Sequence, residues 1–210
     1  AAYEEVTFRA LRLGACRVLD AGDIADAVEA ARNADVAVVF AGLNAEWDNE
    51  GLDRHSLELP QRQNELIARV VAANPRTVVV LQTGSPVTLP WLDAVPAVLQ
   101  AWYPGQECGN SIADVLLGAA EPGGRLTQTW PLREPDSVAF GQPLNYPGQG
   151  GHVRYDEGLF IGYRHYQQRG LQTLFPFGHG LSYTEFEYGP IRGLPSRFKA
   201  GDSITVEVPV

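Results

Sequence analysis

The sequence predicts an α/β fold: a mostly parallel sheet flanked by helices, with long ordered loops. Three largely apolar runs, at residues 36–40, 77–81 and 97–102, have the length of strands. Stretches with apolar residues three and four positions apart separate these runs, as expected for amphipathic helices. Strands that are apolar throughout and alternate with helices are typical of a parallel sheet covered on both faces.

Helix boundaries follow from residues that start or stop helices. Asp23 is predicted as the N-cap of the first helix. Pro60 is predicted in the first turn of the second helix, where its missing N–H leaves no bond unmade. A third helix is predicted over residues 109–117, closed by Gly118. The apolar stripes of the first two helices consist of Ile24, Ala27, Val28 and Ala31, and of Leu66, Ile67, Val70 and Val71.

The texture of the chain changes after Gly118. Residues 123–188 are rich in glycine, proline and aromatic residues, which predicts long ordered loops with a few strands. Loops of this length are usually functional or pressed against another domain. The aromatic side chains expected to pack this region down are Tyr155, Phe160, Tyr163, Tyr166, Phe175 and Phe177.

Composition narrows the possible partners. The formal net charge is −9 and Lys199 is the only lysine, which argues against a nucleic-acid partner. Cys16 and Cys108 lie far apart and are interpreted as thiols, without a disulfide. No cofactor is expected, and no metal, because the histidines lack metal-ligand spacing. These histidines are His55, His152, His165 and His179.

The sequence has no apolar run of transmembrane length and no leader-like start, so no membrane partner is expected and the compartment is left open. It has no methionine, and it ends on a strand-like alternation at residues 204–210. We therefore expect a piece of a longer polypeptide.

An acidic loop, residues 48–54, follows the first apolar strand and holds three acids, a glycine and an arginine. Open α/β sheets place their chemistry at the carboxyl ends of strands, where a carboxylate can give or take a proton. The alternative interpretation is a solvated turn beside a helix start. Asp53 and Arg54 are spaced to form an ion pair or to brace the loop, and the structural role is favoured.

The same residues resemble glycoside hydrolase family 3. Residues 47–54 with Leu57-Glu58-Leu59-Pro60 are similar to its Glu-Gly-x-Asp-Arg…Leu-x-Leu-Pro signature. Further similar segments follow in family order at residues 79–87, 102–107, 109–118, 124–131 and 175–186. Together they cover roughly residues 20–190 and resemble the C-terminal α/β sandwich domain of β-glucosidase-like enzymes, which are O-glycosidases.

The resemblance also implies a domain organisation. Residues 1–18 are interpreted as the tail of a preceding β-sandwich insert, and residues 19–190 as the α/β sandwich domain. Residues 191–210 are interpreted as a linker and the first strand of a fibronectin type III-like domain. An N-terminal (β/α)8-type barrel of the same polypeptide is the implied partner, and a β-glucoside or oligosaccharide is the implied substrate.

The family chemistry is retaining hydrolysis, which needs two carboxyl groups. The resemblance implies that Glu50 is the general acid/base; Glu46 and Asp48 are alternative proton donors. The family nucleophile is an aspartate in a Ser-Asp-Trp-like barrel motif, and this sequence has no such tripeptide. No nucleophile is therefore assigned, and the fragment is expected to be inactive alone. Trp47 is interpreted as a sugar-stacking surface or a core anchor.

Two other functions compete with this one. A non-catalytic sugar-binding or scaffolding α/β module would bind glucose by itself and be insensitive to substitution of Glu50. A nucleotide-binding domain is disfavoured, because no Gly-x-Gly-x-x-Gly follows the first strand. His179 is interpreted as a turn histidine bonded to backbone carbonyls, in preference to a catalytic base.

Overall fold

A computed structural model describes residues 19–51 and 53–210. The predicted α/β class is confirmed. Strands β1 (Ala37–Gly42), β2 (Thr77–Gln82) and β3 (Ala97–Gln100) form a parallel sheet in the order β1-β2-β3. The register places Val39 beside Val79 and Val79 beside Val98. All three carboxyl ends therefore lie at one edge of the sheet.

Helix α1 spans Ala21–Arg32, and its N-cap is Asp20. The prediction of Asp23 as N-cap was wrong by three residues. Asp23 occupies the third helical position, where its carboxylate accepts the Asp20 backbone N–H at 3.2 Å. In return the Asp20 carboxylate accepts the Asp23 N–H at 2.9 Å. This reciprocal capping box uses both acids, so spacing from the apolar stripe pointed to the wrong member of the pair.

Helix α2 spans Gln63–Ala73 and begins later than predicted. Pro60 lies before the helix, because Gln61 adopts a positive φ of 56° and interrupts the backbone path. The Gln63 side chain then binds the end of β1: it accepts the Gly42 N–H at 2.8 Å and donates to the Gly42 carbonyl at 2.9 Å. The start of α2 is thus fixed by a tertiary contact with the sheet.

The main core lies on one face of the sheet, beneath α1 and α2. Val79, Leu81 and Ile67 are fully buried there. The predicted stripe of α2 is confirmed, since Ile67, Val70 and Val71 are its buried residues. Burying apolar area of this kind contributes roughly 25 cal/mol per Å² removed from water, so this core supplies much of the stability of the sheet.

The other face of the sheet is only partly covered. Val80 is fully buried on it, and the Gln82 side chain on the same face donates to Cys108 Sγ at 3.1 Å. Cys108 opens helix α3 (Cys108–Leu116), which Gly118 terminates with a φ of +75°, close to prediction. At β1, however, Val38 and Phe40 on this face are exposed.

Residues 118–210 contain few regular elements. Strands β4 (Trp130–Pro131) and β5 (Thr173–Phe175) pair antiparallel, and helix α4 spans Tyr163–Arg169. This segment also has a short 3-10 turn at Glu134–Asp136. Two more such turns, Leu92–Ala94 and Gly105–Glu107, lie before it. The predicted loop-rich texture is confirmed, but α4 was not predicted.

The expectation that aromatic residues pack this region down was largely wrong. Tyr166 is buried and Phe175 is half-buried, whereas the other four named aromatics are exposed. Short runs broken by glycine and proline offer no continuous face on which such rings could stack. The exposed four are Tyr155, Phe160, Tyr163 and Phe177.

The structure describes the C-terminal end of the chain but not the N-terminal end. Residues 1–18 lie outside the described residues. The β-sandwich tail predicted for them, and the interpretation of Cys16 as a thiol, therefore stay predictions. In residues 191–210 a single antiparallel bridge joins Arg192 and Glu207, and the domain assignment of this segment stays a prediction. Among the described helices, none is long and apolar enough to cross a bilayer.

Candidate active site at the carboxyl edge of the sheet

The loop after β1 is shaped by side-chain and backbone turns. The Asn44 carbonyl accepts the N–H groups of Trp47 and Asp48, each at 2.9 Å. Further on, the Asn49 side-chain oxygen accepts the Gly51 N–H at 2.9 Å. Asparagine is suited to such turns because its side chain can bond its own backbone two residues on. The described residues of the acidic segment, 48–51 and 53–54, therefore belong to a folded loop, which is called the arch below.

The carboxylate of Asp48 joins the ends of all three strands. Its Oδ2 accepts the Tyr103 hydroxyl at 2.8 Å and the Gly84 N–H at 3.1 Å. Gly84 follows β2 and Tyr103 follows β3. A Cβ at Gly84 would lie 2.6 Å from Asp48 Oδ2 and 2.9 Å from Tyr103 Cε2, so only glycine allows this approach.

Tyr103 is a well-defined donor in this cluster. Burial of its hydroxyl end, the hydrogen bond to Asp48 and the Asp48 charge raise the pKa of Tyr103 to about 12. The hydroxyl consequently stays protonated throughout the neutral range. The preceding residue, Trp102, has a φ of 55°, a left-handed conformation that costs a non-glycine residue roughly 1–2 kcal/mol. The backbone thus takes a strained path to deliver Tyr103.

Arg54 anchors the other end of the arch. Its Nη2 donates to Ser85 Oγ at 2.9 Å and to the Pro86 carbonyl at 2.8 Å. Burial lowers the pKa of Arg54, and the nearby carboxylates of Asp48 and Glu134 oppose that shift. Within the described part of the chain, its Nη1 is buried without a hydrogen-bond partner.

Asp53 and Arg54 brace the loop through different partners. The interaction of the Tyr146 hydroxyl with the Asp53 carboxylate is the main cause of a raised pKa at Tyr146. Arg54 instead contacts the loop after β2. Of the two interpretations offered by the sequence, bracing describes this arrangement, and the ion pair does not.

Glu50 lies on the exposed crest of the arch, between Asp48 and Arg54. Among residues 19–51 and 53–210, none forms a hydrogen bond or ion pair with its carboxylate. Asp48 already accepts two hydrogen bonds within the domain, from the Tyr103 hydroxyl and the Gly84 N–H, whereas Glu50 is exposed. Glu46 is also exposed and lies just before the arch, where its backbone N–H donates to Asn44 Oδ1 at 3.0 Å.

Trp47 lines an open cleft of about 340 Å³ at the end of β1. Its side chain is 42% exposed, so it is not a core anchor. Gly42, Asn44 and Gln61 also line the cleft. Glu50 is not among the lining residues, so the chain alone does not bring the two predicted site residues into one pocket.

No role was predicted for Gly84 or Tyr103, although both lie in segments that resemble the family. One signal was available: each follows a strand, and the carboxyl ends of parallel strands meet at one edge. His179 lies away from the arch; its ring stacks on Phe175 at 4.8 Å, and its backbone bonds Leu126 and Pro176.

Residues 4–183 match the model of the glycosyl hydrolase family 3 C-terminal domain. The chain belongs to glycosyl hydrolase family 3. The match covers the sheet, the acidic arch and most of the loop-rich segment, and it confirms the family suggested by the motifs.

Curated family 3 relatives are considerably longer than this chain. The β-glucosidase of Rhizobium radiobacter is 50% identical over 211 residues, which is 100% of this chain and 26% of that protein. The thermostable β-glucosidase B of Acetivibrio thermocellus is 49% identical over 168 residues, which is 80% of this chain and 22% of that protein. The chain therefore spans about a quarter of the length of these relatives.

Solved structures of family 3 share the fold. The β-glucosidase of Kluyveromyces marxianus in complex with glucose has 46% identity and a TM-score of 0.78, covering 84% of this chain and 21% of that one. DesR, a β-glucosidase of Streptomyces venezuelae, in complex with D-glucose, has 43% identity and a TM-score of 0.81, covering 89% and 23%. The family 3 domain described here is thus a smaller part of larger β-glucosidases in these relatives.

Proposed function

We propose that this chain is the acid/base-bearing domain of a retaining, exo-acting β-glycosidase of the β-glucosidase type. Its substrates would be glucosides or oligosaccharides with a terminal β-linked sugar. The observation that supports this most directly is Glu50: an exposed carboxyl group with no partner among residues 19–51 and 53–210, on an anchored arch at the carboxyl edge of a parallel sheet. The family match with β-glucosidases supports the same reaction.

In the first step, the Glu50 carboxyl donates its proton to the glycosidic oxygen as the bond between that oxygen and the anomeric carbon breaks. A nucleophilic carboxylate attacks the anomeric carbon from the opposite side. In the second step, the Glu50 carboxylate takes a proton from the water that releases the sugar. The two carboxyl groups of a retaining enzyme lie about 5–5.5 Å apart.

We assign the nucleophile to a (β/α)8-type barrel of the same polypeptide, since no residue of this chain matches the family's nucleophile motif. The isolated fragment would then be inactive, because it holds only one of the two carboxyl groups. Trp47 would present an apolar surface to the C–H face of a sugar, since its ring lies open to a cleft at the same edge of the sheet.

The test is Glu50→Gln in the full-length polypeptide that contains this domain. We expect kcat/KM to fall by roughly 10²–10⁴-fold on alkyl glucosides and disaccharides, whose leaving groups need protonation. The rate on dinitrophenyl glucoside should fall much less, because its leaving group departs without a proton. Azide should restore turnover, since it attacks the glycosyl intermediate without needing a general base.

Two variants serve as controls. Glu58→Gln removes an exposed carboxylate a short distance along the same loop and should leave the kinetics unchanged. Glu46→Gln tests the alternative proton donor. If this variant loses activity on alkyl glucosides but not on dinitrophenyl glucoside, and Glu50→Gln has normal kinetics, Glu46 is the acid/base. If the isolated chain binds glucose and Glu50→Gln leaves the affinity unchanged, a non-catalytic sugar-binding module is favoured.

A further inference from the structure

We propose that Asp48 and Tyr103 are positioning residues that hold the arch so that Glu50 faces the substrate in a productive orientation. This inference rests on the proposed role of Glu50 and adds a mechanism by which the sheet controls it. Neither residue would contact the reacting atoms; both would act through the backbone of the arch.

The arch is clamped at both ends to one neighbouring loop. Asp48 binds the Gly84 N–H, and Arg54 binds Ser85 and the Pro86 carbonyl, the next residues along that loop. Glu50 lies between these two clamps. A short chain segment with both ends fixed has few ways to rearrange, so the direction of its exposed carboxyl group depends on both clamps.

The clamp at Asp48 is the one that reaches a third strand end. The Tyr103 hydroxyl donates to the same Asp48 oxygen as the Gly84 N–H, at 2.8 Å and 3.1 Å. Two features of the backbone accompany this contact: the missing Cβ at Gly84, where a Cβ would collide with Asp48 and Tyr103, and the positive φ of Trp102, the residue before Tyr103. Strained backbone of this kind persists where surrounding structure fixes it, and it clusters at functional sites.

The arch carries Glu50 on its crest, exposed and with no hydrogen-bond partner among the described residues. No hydrogen bond or ion pair among the described residues therefore fixes the Glu50 side chain, and we infer that its placement depends on the backbone of the arch. A misplacement of about 1 Å can lower the rate of a catalysed step by about 100-fold. Release of the Asp48 clamp is thus expected to affect proton transfer before it affects the fold.

The test uses the full-length polypeptide with Tyr103→Phe, compared with Tyr183→Phe. Both substitutions remove one tyrosine hydroxyl that donates at 2.8 Å, but Tyr183 donates to the Val115 carbonyl, away from the arch. We expect Tyr103→Phe to lower kcat on alkyl glucosides by roughly 10-fold to 100-fold and on dinitrophenyl glucoside by much less. KM should change little, and Tyr183→Phe should behave as wild type on both substrates.

Two further measurements separate positioning from simple destabilisation. Asp48→Asn keeps an oxygen that accepts from Tyr103 and should retain more activity than Asp48→Ala on alkyl glucosides. Adding Tyr103→Phe to Glu50→Gln should cause no further loss, because both changes remove the same proton transfer. A variant that only unfolds more easily would lose activity equally on all substrates, and its loss would add to that of Glu50→Gln.

The outcomes keep the two proposals apart. If Glu50→Gln shows the leaving-group pattern and azide rescue while Tyr103→Phe matches Tyr183→Phe, positioning by the Asp48 clamp is wrong and the role of Glu50 stands. If Glu50→Gln turns over alkyl glucosides normally, the acid/base assignment is wrong, and a Tyr103→Phe effect could not be attributed to Glu50. A uniform loss in Tyr103→Phe that adds to Glu50→Gln would also overturn the positioning role.

Discussion

Two regions of this chain use their apolar residues in opposite ways. In the sheet region, residues 19–117, strands and helices enclose a core that includes Val79, Leu81 and Ile67. In the loop region, residues 118–210, the buried apolar residues among those described are Trp130, Pro131 and Tyr166, and most large apolar side chains are exposed. The sheet region stabilises itself and presents the acidic arch; the loop region offers apolar surface that it does not cover.

The physical reason for the difference is periodicity. Parallel strands with helices on their faces bury side chains along continuous rows. Segments interrupted by glycine and proline lack such rows, so they bury few apolar groups, some of them at places where they meet the sheet region. Trp130 is such a place: it is 1% exposed, belongs to the main core and packs edge-on against Phe175 at 6.1 Å.

The largest effect is expected where the two regions join. Trp130→Ala should uncouple the loop region from the sheet region. It should lower the free energy of unfolding by about 3–5 kcal/mol, as for other buried large-to-small changes. Urea unfolding measures the loss, and limited proteolysis should then cut first within residues 118–210. Trp130→Phe, which keeps an aromatic ring, should lose much less. Equal stability of Trp130→Ala and wild type would contradict the joining role.

An intermediate effect is expected within the sheet region. A Cβ at Gly42 would lie 2.1 Å from the Gln82 carbonyl oxygen, so Gly42→Ala should force β1 and β2 apart. We expect about 1–3 kcal/mol of destabilisation in thermal unfolding. Gly109→Ala in α3 is the matched control: nothing lies within 4 Å of its Cβ, and alanine should stabilise that helix by roughly 0.5–1 kcal/mol. The same sign for both variants would show that strand contact is not the cause.

The smallest effect is expected in the loop region, and it sharpens the contrast. Tyr155 and Leu159 are 80% and 76% exposed. Replacing both with serine should change the free energy of unfolding by less than about 0.5 kcal/mol, while fluorescence of a dye that binds apolar surface should fall. Val79→Ser, at a fully buried site, should destabilise strongly. A large stability loss in the Tyr155 and Leu159 variant would mean that the loop region has a core of its own.

The sequence was informative about the sheet region because its signals are local. Apolar runs located the three strands, the stripe of Ile67, Val70 and Val71 identified the buried face of α2, and Gly118 marked the end of α3. It was less informative at Asp20 and Pro60, where a capping box and a contact with Gly42 set the helix starts. In the loop region the number of aromatic residues suggested packing that their irregular spacing does not allow.

For the candidate site, the sequence by itself determined the family, the acidic segment after β1 and, through the family resemblance, the choice of Glu50 as the acid to test. Only the tertiary structure decided that Asp48 meets Tyr103 and Gly84, and that Arg54 turns to Ser85 instead of Asp53. Such contacts depend on strand register, which brings loops tens of residues apart to one edge. Spacing along a single chain segment carries no record of that register, so the partners of the arch became known only with the fold.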